Sequence, residues 1–146
     1  MSVDHQLVGR AFEKTEPYLV GREKVREFSR AVFSSSPASL SPEAARRAGY
    51  ADVVAPPTFA IVIQELALSR LVDEAGIELT HVVHGEQRFD YSRPIVAGDE
   101  LTAQLIVKSV KTVGANSMVV AESVITDGEG EHVVTAVSTL VVRGDA

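Results

Sequence analysis

The sequence predicts an α+β domain in which an antiparallel sheet wraps around one enclosed helix. Three observations carry that expectation: an almost wholly apolar helical segment after Ala55-Pro56-Pro57-Thr58, a change of hydrophobic period from helical to alternating in the second half, and two turn sequences that separate runs rich in Val, Ile and Thr. At 146 residues the chain can bury a core without disulfides or metal, so residues 1–146 are assigned to one domain. Apolar residues make up 45% of the chain and aromatics only 5%, so that core must be built mainly from Val, Leu, Ile and Ala. Such a composition is globular and excludes a disordered chain.

Each element has its own warrant. Residues 20–33 place Val25, Phe28, Ala31 and Val32 on one side of a helix. Around them Arg22, Lys24, Arg26 and Arg30 alternate with Glu23 and Glu27, a spacing for charge pairs three and four apart on a solvated face. Residues 34–39 form a polar connection. A short helix follows, with Ser41 as cap, Pro42 in its first turn and Gly49 just past its end. The next segment, closed near Gly76, carries Phe59, Ile61, Val62, Ile63, Leu66, Leu68, Leu71 and Val72, with Gln64, Glu65 and Ser69 as polar exceptions. A helix apolar nearly all round should be enclosed by other structure.

The second half reads as strands over residues 82–91, 102–110, 118–126 and 133–142. Arg93-Pro94 ends the first of them, because proline cannot donate to a ladder. Val113-Gly114-Ala115-Asn116 and Asp127-Gly128-Glu129-Gly130 supply hairpin chemistry between the others. Several helix-on-sheet folds share this pattern, so periodicity alone does not choose among them.

Charge and composition remove whole classes of function. A net charge of −6 argues against a nucleic-acid partner, whose phosphates need clustered Lys and Arg. The absence of cysteine excludes a disulfide framework, a thiolate nucleophile and a Cys-based zinc site. His5, His81 and His132 lack metal-ligand spacing, so no metal is expected. The longest apolar run, residues 59–63, is too short to span a bilayer, and residues 1–10 include Asp4 with no signal-type stretch. No membrane association and a cytoplasmic location are the resulting expectations.

Three segments carry a resemblance to a known family. They are Ser34-Ser35-Ser36-Pro37-Ala38-Ser39-Leu40-Ser41-Pro42-Glu43-Ala44-Ala45-Arg46-Arg47-Ala48-Gly49-Tyr50, then Val53-Val54-Ala55-Pro56-Pro57-Thr58-Phe59, then Gln87-Arg88-Phe89-Asp90-Tyr91-Ser92-Arg93-Pro94-Ile95-Val96-Ala97-Gly98-Asp99-Glu100-Leu101-Thr102-Ala103. In that order they resemble the hydratase loop, the start of the central helix and the strand, proline break and Gly-Asp turn of the MaoC-like (R)-specific hydratases and dehydratases. The resemblance implies a hot-dog fold. It also implies acyl-thioester chemistry, which needs a base and an acid beside one water and a donor for the thioester oxygen. In the family loop these are an Asp and a His with four residues between them, and a backbone N–H at the helix start.

Here the matching positions are Ser34 and Ser39, and the donor position is Pro57, which has no N–H. A serine hydroxyl is no base near neutral pH, so the chain is expected to be inactive alone. It most resembles the degenerate N-terminal-type dehydratase domains, and the non-catalytic subunits of actinobacterial heterodimeric 3-hydroxyacyl-ACP dehydratases. That likeness implies an acyl thioester on CoA or an acyl carrier protein as ligand and no further cofactor. Pro57, Thr58, Phe59 and Val62 would form its binding wall, and a second hot-dog chain, identical or different, would be its partner.

Other residues offer different readings. Ser34 and Ser39 suit a loop that marks a vacated site. His84 suits either a half-buried strand position or a substitute base. Glu86 and Asp90 share its parity on an extended strand, so all three would face one side, as a site or as a polar strand face. Glu65 stands where some hot-dog thioesterases, which resemble this layout, use a carboxylate, although the glycines those enzymes need at the helix start are absent. Three functions therefore stand: a non-catalytic subunit beside a catalytic partner, a stand-alone hydratase or thioesterase using His84, Asp90 or Glu65, and a non-catalytic homodimeric acyl-thioester binder.

Overall fold

The computed structural model describes residues 2–144. Strands β1 (Tyr18–Leu19), β2 (Val82–Tyr91), β3 (Glu100–Val113), β4 (Asn116–Thr126) and β5 (His132–Val142) form one antiparallel sheet in the order β1-β3-β4-β5-β2. Alternation along β3, β4 and β5 turns Leu101, Leu105, Val107, Val119, Ile125, Val134 and Leu140 inward. The long helix α4 (Ala60–Glu74) lies against that face through Ala60, Ile63, Ala67, Leu68 and Leu71. Register explains the close approach, since Ala121 pairs with Ser138 and Ser123 with Ala136, a patch of small side chains across two central strands.

The helix is less enclosed than its composition predicts. Leu66 remains 41% exposed, with Glu65 and Ser69 beside it on an open flank. Conversely Gln64, expected as a polar exception, is 1% exposed. Tertiary placement, not the count of apolar residues, decides which flank meets water.

Before α4 the chain forms three short helices, α1 (Arg22–Ala31), α2 (Pro37–Leu40) and α3 (Pro42–Arg47). The polar connection at 34–39 is therefore partly helical. Val25 is buried in α1 and Phe28 packs edge-on to Phe59, with ring centroids 5.3 Å apart, whereas Ala31 and Val32 are exposed. Lys24 pairs with Glu27 and Arg26 with Glu23 on the solvated face, but Arg22 leaves it to form a two-pronged bond to Asp52 at 3.0 and 2.8 Å. The α3 cap is as read, with Ser41 Oγ accepting the Ala44 N–H at 3.2 Å and Gly49 at φ +96. Helix α1 ends differently: Phe33 takes φ +57, the position where glycine is usual, at a cost of roughly 1–2 kcal/mol.

The two sheet edges differ. Along β3, the N–H groups of Gly9, Phe12 and Thr15 bond to the carbonyls of Val107, Leu105 and Ala103, so the N-terminal segment covers that edge. The outer edge of β2 has no strand beside it among the described residues. Within β2 the register shifts at Gly85: His84 pairs with Leu140, but Glu86 pairs with Thr139. This bulge overturns the simple parity expected for the strand. His84 lies on the inner side with Gln87, Phe89 and Tyr91, while Glu86, Arg88 and Asp90 pair with the outward residues Thr139, Val137 and Thr135.

Candidate functional site

All three motif segments converge on one cavity of about 580 Å³. Its walls come from residues 34–39 (Ser34, Ser36, Ala38 and Ser39), from Tyr50, from Val54, Ala55, Pro56 and Pro57, and from Tyr91, Ser92, Arg93 and Pro94. Loop, helix start and proline break are brought to one place by hydrogen bonds from the Val54 N–H to the Ala38 carbonyl, from the Ala55 N–H to the Ile95 carbonyl and from the Tyr91 hydroxyl to the Pro57 carbonyl.

Ser39, Tyr91 and Arg93 in this cavity are already engaged through their side chains. Ser39 is 4% exposed and its Oγ donates to the Val54 carbonyl at 2.6 Å, so its hydroxyl fastens the loop to the segment before α4. Ser34 is half-buried, its N–H bonded to the Ser29 carbonyl at 2.8 Å beyond the end of α1. Pro57 lines the cavity but brings no N–H, and its carbonyl accepts the Tyr91 hydroxyl. Burial pushes the Tyr91 phenol up to about 12, so it stays neutral and serves as a donor.

Arg93 is the one cation in the lining among the described residues, and it is held by carboxylates. Its guanidinium bonds Asp99 at 2.9 and 3.1 Å and Asp127 at 3.1 Å. Asp99 also accepts the Val96 N–H at 2.9 Å, and Asp127 accepts those of Glu129 and Glu131, so the Gly98-Asp99 turn and the β4–β5 turn are tied together. The Arg93 bond, and behind it the Glu131 N–H, hold the Asp127 carboxyl below its ordinary range. Among the described residues no carboxylate or imidazole lines the cavity.

The expected binding wall divides. Pro57 lines the cavity; Thr58 is exposed outside its lining, Phe59 is fully buried against Phe28, and Val62 is half-buried in the core. Phe59 is a core residue because its ring closes the joint between α1 and α4. Tyr91 and Arg93, by contrast, make contacts at the cavity that the sequence offered only as part of a motif, since Pro57 and Asp127 each lie 34 residues from them in the chain.

A second, smaller groove of about 340 Å³ runs between the open flank of α4 and the start of β2. Glu65, Ser69 and Asp73 line it with Leu68, Val72, Leu79, Val82, Leu140 and His84. Two of the candidate substitutes, Glu65 and His84, therefore share one groove. The third, Asp90, is outside it and pairs with Arg88 at 3.1 Å on the outer face.

Hydrogen bonds behind the groove set the state of His84. Gln87 Nε2 donates to Gln64 Oε1 at 2.7 Å, which leaves Gln87 Oε1 to accept from Gln64 Nε2 at 3.0 Å and from Ser138 Oγ at 2.6 Å. His84 Nε2 lies 2.9 Å from the same oxygen, so in the neutral ring Nε2 carries the proton and Nδ1 is left as acceptor. Gln64 also bonds directly to Ser138. These groups satisfy one another where water is excluded, and this is what admits a glutamine to the core.

Comparison with known proteins agrees with this geometry. Residues 6–136 match the family described as "FAS1-like, dehydratase domain region". A UPF0336 protein of Leifsonia xyli subsp. xyli is 61% identical over 98% of this chain and 97% of its own length. Among solved structures, a chain of the C-terminally truncated HadBC (3R-hydroxyacyl-ACP dehydratase) complex from Mycobacterium tuberculosis superposes with a TM-score of 0.87 at 33% identity, covering 97% of this chain and 99% of that one. A MaoC-like dehydratase gives a TM-score of 0.83 at 37% identity over 94% of this chain, but this match spans only 42% of that longer chain.

Proposed function

We propose, for a chain that belongs to the FAS1-like dehydratase domain region family and has the hot-dog fold of MaoC-like dehydratases, the role of an acyl-thioester-binding subunit that leaves the chemistry to a second hot-dog chain. Dehydration of a 3-hydroxyacyl thioester removes a proton from C2 and the hydroxyl from C3 as water, with charge gathering on the thioester oxygen. It therefore needs a base, an acid and an oxyanion donor at one point. One observation carries the proposal: the cavity keeps a volume of about 580 Å³ while Ser34, Ser39 and Pro57 stand at the three working positions. The Ser39 hydroxyl already donates to Val54, and Pro57 has no hydrogen to give.

Two further facts support pairing. The outer edge of β2 has no neighbouring strand among the described residues, and a second sheet would cover it. The HadBC chain that this one superposes on was solved as part of a two-component complex, and the match to the MaoC-like dehydratase leaves more than half of that chain to supply other parts. The test is to assay enoyl-thioester hydration by the purified chain, by a hot-dog chain with an intact Asp and His encoded beside it, and by the mixture. Activity confined to the mixture, with a complex on size-exclusion chromatography, is the expected result. Robust turnover by this chain alone overturns it.

A second reading rests on the shared groove of Glu65 and His84, where a carboxylate and an imidazole with a free Nδ1 meet an apolar wall. On that reading the chain is itself a hydratase or thioesterase. Loss of its intrinsic turnover in Glu65→Ala or His84→Ala would favour it.

A further inference from the structure

We propose that the Tyr91 hydroxyl holds the carbonyl oxygen of the ligand's thioester, a donor brought from the end of β2 to a helix start whose prolines supply none. The assignment rests on the acyl-thioester reading of the cavity and names the residue that gives that ligand its orientation.

A thioester carbonyl that leaves water for an apolar cavity needs a donor there, or its desolvation weakens binding. The walls supply few. Pro56, Pro57 and Pro94 have no N–H, and the N–H groups of Val54, Ala55 and Ser92 are given to the carbonyls of Ala38, Ile95 and Val133 at 2.9, 2.8 and 2.8 Å. Ser39 Oγ is buried on the Val54 carbonyl, and Ser92 Oγ is paired with His132 Nδ1. Arg93 would have to leave two carboxylates, whose charge-assisted bonds are roughly twice as strong as neutral ones. Ser36 and Tyr50 are exposed, so a bond from either to a ligand replaces one to water and adds little.

Tyr91 differs in three respects. Its ring is half-buried in the cavity wall, and its hydroxyl is fixed at the head of α4 by the Pro57 carbonyl. Burial keeps the phenol neutral, against the opposing pull of the Ala60 N–H on the same oxygen. An oxygen that accepts a hydrogen bond makes its own O–H a stronger donor, so the N–H of the first α4 residue acts on the ligand through Tyr91. Third, the bond to Pro57 is exchangeable. That carbonyl opens the 3₁₀ turn Pro57–Phe59 leading into α4, where helical geometry aims at it a backbone N–H three or four residues further on. Turning the phenol toward a ligand therefore exchanges one neutral acceptor for another without orphaning the first.

The experiment uses the full chain and two probes that undergo neither hydration nor dehydration: butyryl-CoA and its thioether analogue S-butyl-CoA, which keeps the sulfur and the alkyl chain but lacks the carbonyl. Calorimetric titration gives the ratio of their affinities. Tyr91→Phe retains the ring, and with it the wall. It is expected to lower the thioester-to-thioether ratio about three- to tenfold, the effect of one hydrogen bond, while the affinity for S-butyl-CoA stays within about twofold. With a carbon-13 carbonyl, the infrared stretch of bound butyryl-CoA should lie at higher frequency in Tyr91→Phe than in the wild type, because the bond that weakens the C=O is gone. A ratio unchanged by Tyr91→Phe overturns the assignment, and so does an equal loss of both ligands, which would make Tyr91 a part of the wall only. A Ser34→Ala or Tyr50→Phe change that lowers the ratio in its place does the same. Binding of neither probe by the wild-type chain would sink the acyl-thioester reading and this assignment with it, whereas binding of both with no effect of Tyr91→Phe removes the assignment alone.

Discussion

The large cavity and the smaller groove on α4 are complementary in what they lack. The larger, between the residue 34–39 loop and the end of β2, has shape but no carboxylate or imidazole among its described lining residues: the Ser39 and Tyr91 hydroxyls are bonded, its arginine is held by two aspartates and its helix start begins with prolines. The smaller, on the open flank of α4, has a carboxylate and an imidazole but stands away from that helix start, so nothing there is aimed at a thioester oxygen. The contrast teaches that volume and acid-base groups are separable properties of this fold.

The sharpest structural break of this comparison is at Gln64, which supports the smaller groove from within. Gln64→Leu removes the partner of Gln87 and Ser138, and each buried group left unpaired should cost about 1–3 kcal/mol in urea unfolding. A neutral result would mean that the network does not hold His84. On the side of the larger cavity, Ser39→Ala should cost about 1 kcal/mol through the lost bond to Val54, with turnover of the assembled pair unchanged. A large fall in turnover with stability intact would make Ser39 a chemical group after all.

Smaller effects separate the two by pH and by activity. Tyr91 has an ordinary value of 10 raised by burial to about 12, so its contribution to stability is fully present below pH 10 and is lost as pH rises through 12. Tyr91→Phe should flatten that alkaline limb in a pH series of melting temperatures. Asp127 is shifted the other way, so its contribution is present at neutral pH and is lost as pH falls through its lowered value; Asp127→Asn should flatten the acid limb. Smallest of all, Glu65→Gln and His84→Ala should change turnover of the assembled pair less than twofold, and a loss of a hundredfold or more would move the chemistry into the groove.

Much of the fold was legible because its signals are local. β2 was read at its observed bounds, and the β3–β4 and β4–β5 turns and the Ser41 cap were readable from a few residues each. β1 was not, since two residues carry no alternation, and it is defined only by pairing with Glu100 and Leu101. Gly85 concealed a change of face because a bulge depends on the neighbouring strand, and this is why His84 parted from Glu86 and Asp90. The three positions of the larger cavity were legible through a motif, but Ser39 buried against Val54, Tyr91 bonded to Pro57 and Gln64 inside the core are long-range facts. No periodicity encodes them.

The central claim, that this chain binds while another reacts, is tested most directly by silencing the other. In the assembled pair, the partner's loop histidine is replaced by alanine while this chain is left intact, and enoyl-thioester hydration is followed under single-turnover conditions. The account predicts that turnover disappears while the complex and its acyl-thioester affinity remain. Residual turnover that is removed by a further Glu65→Gln or His84→Ala change in this chain would contradict it.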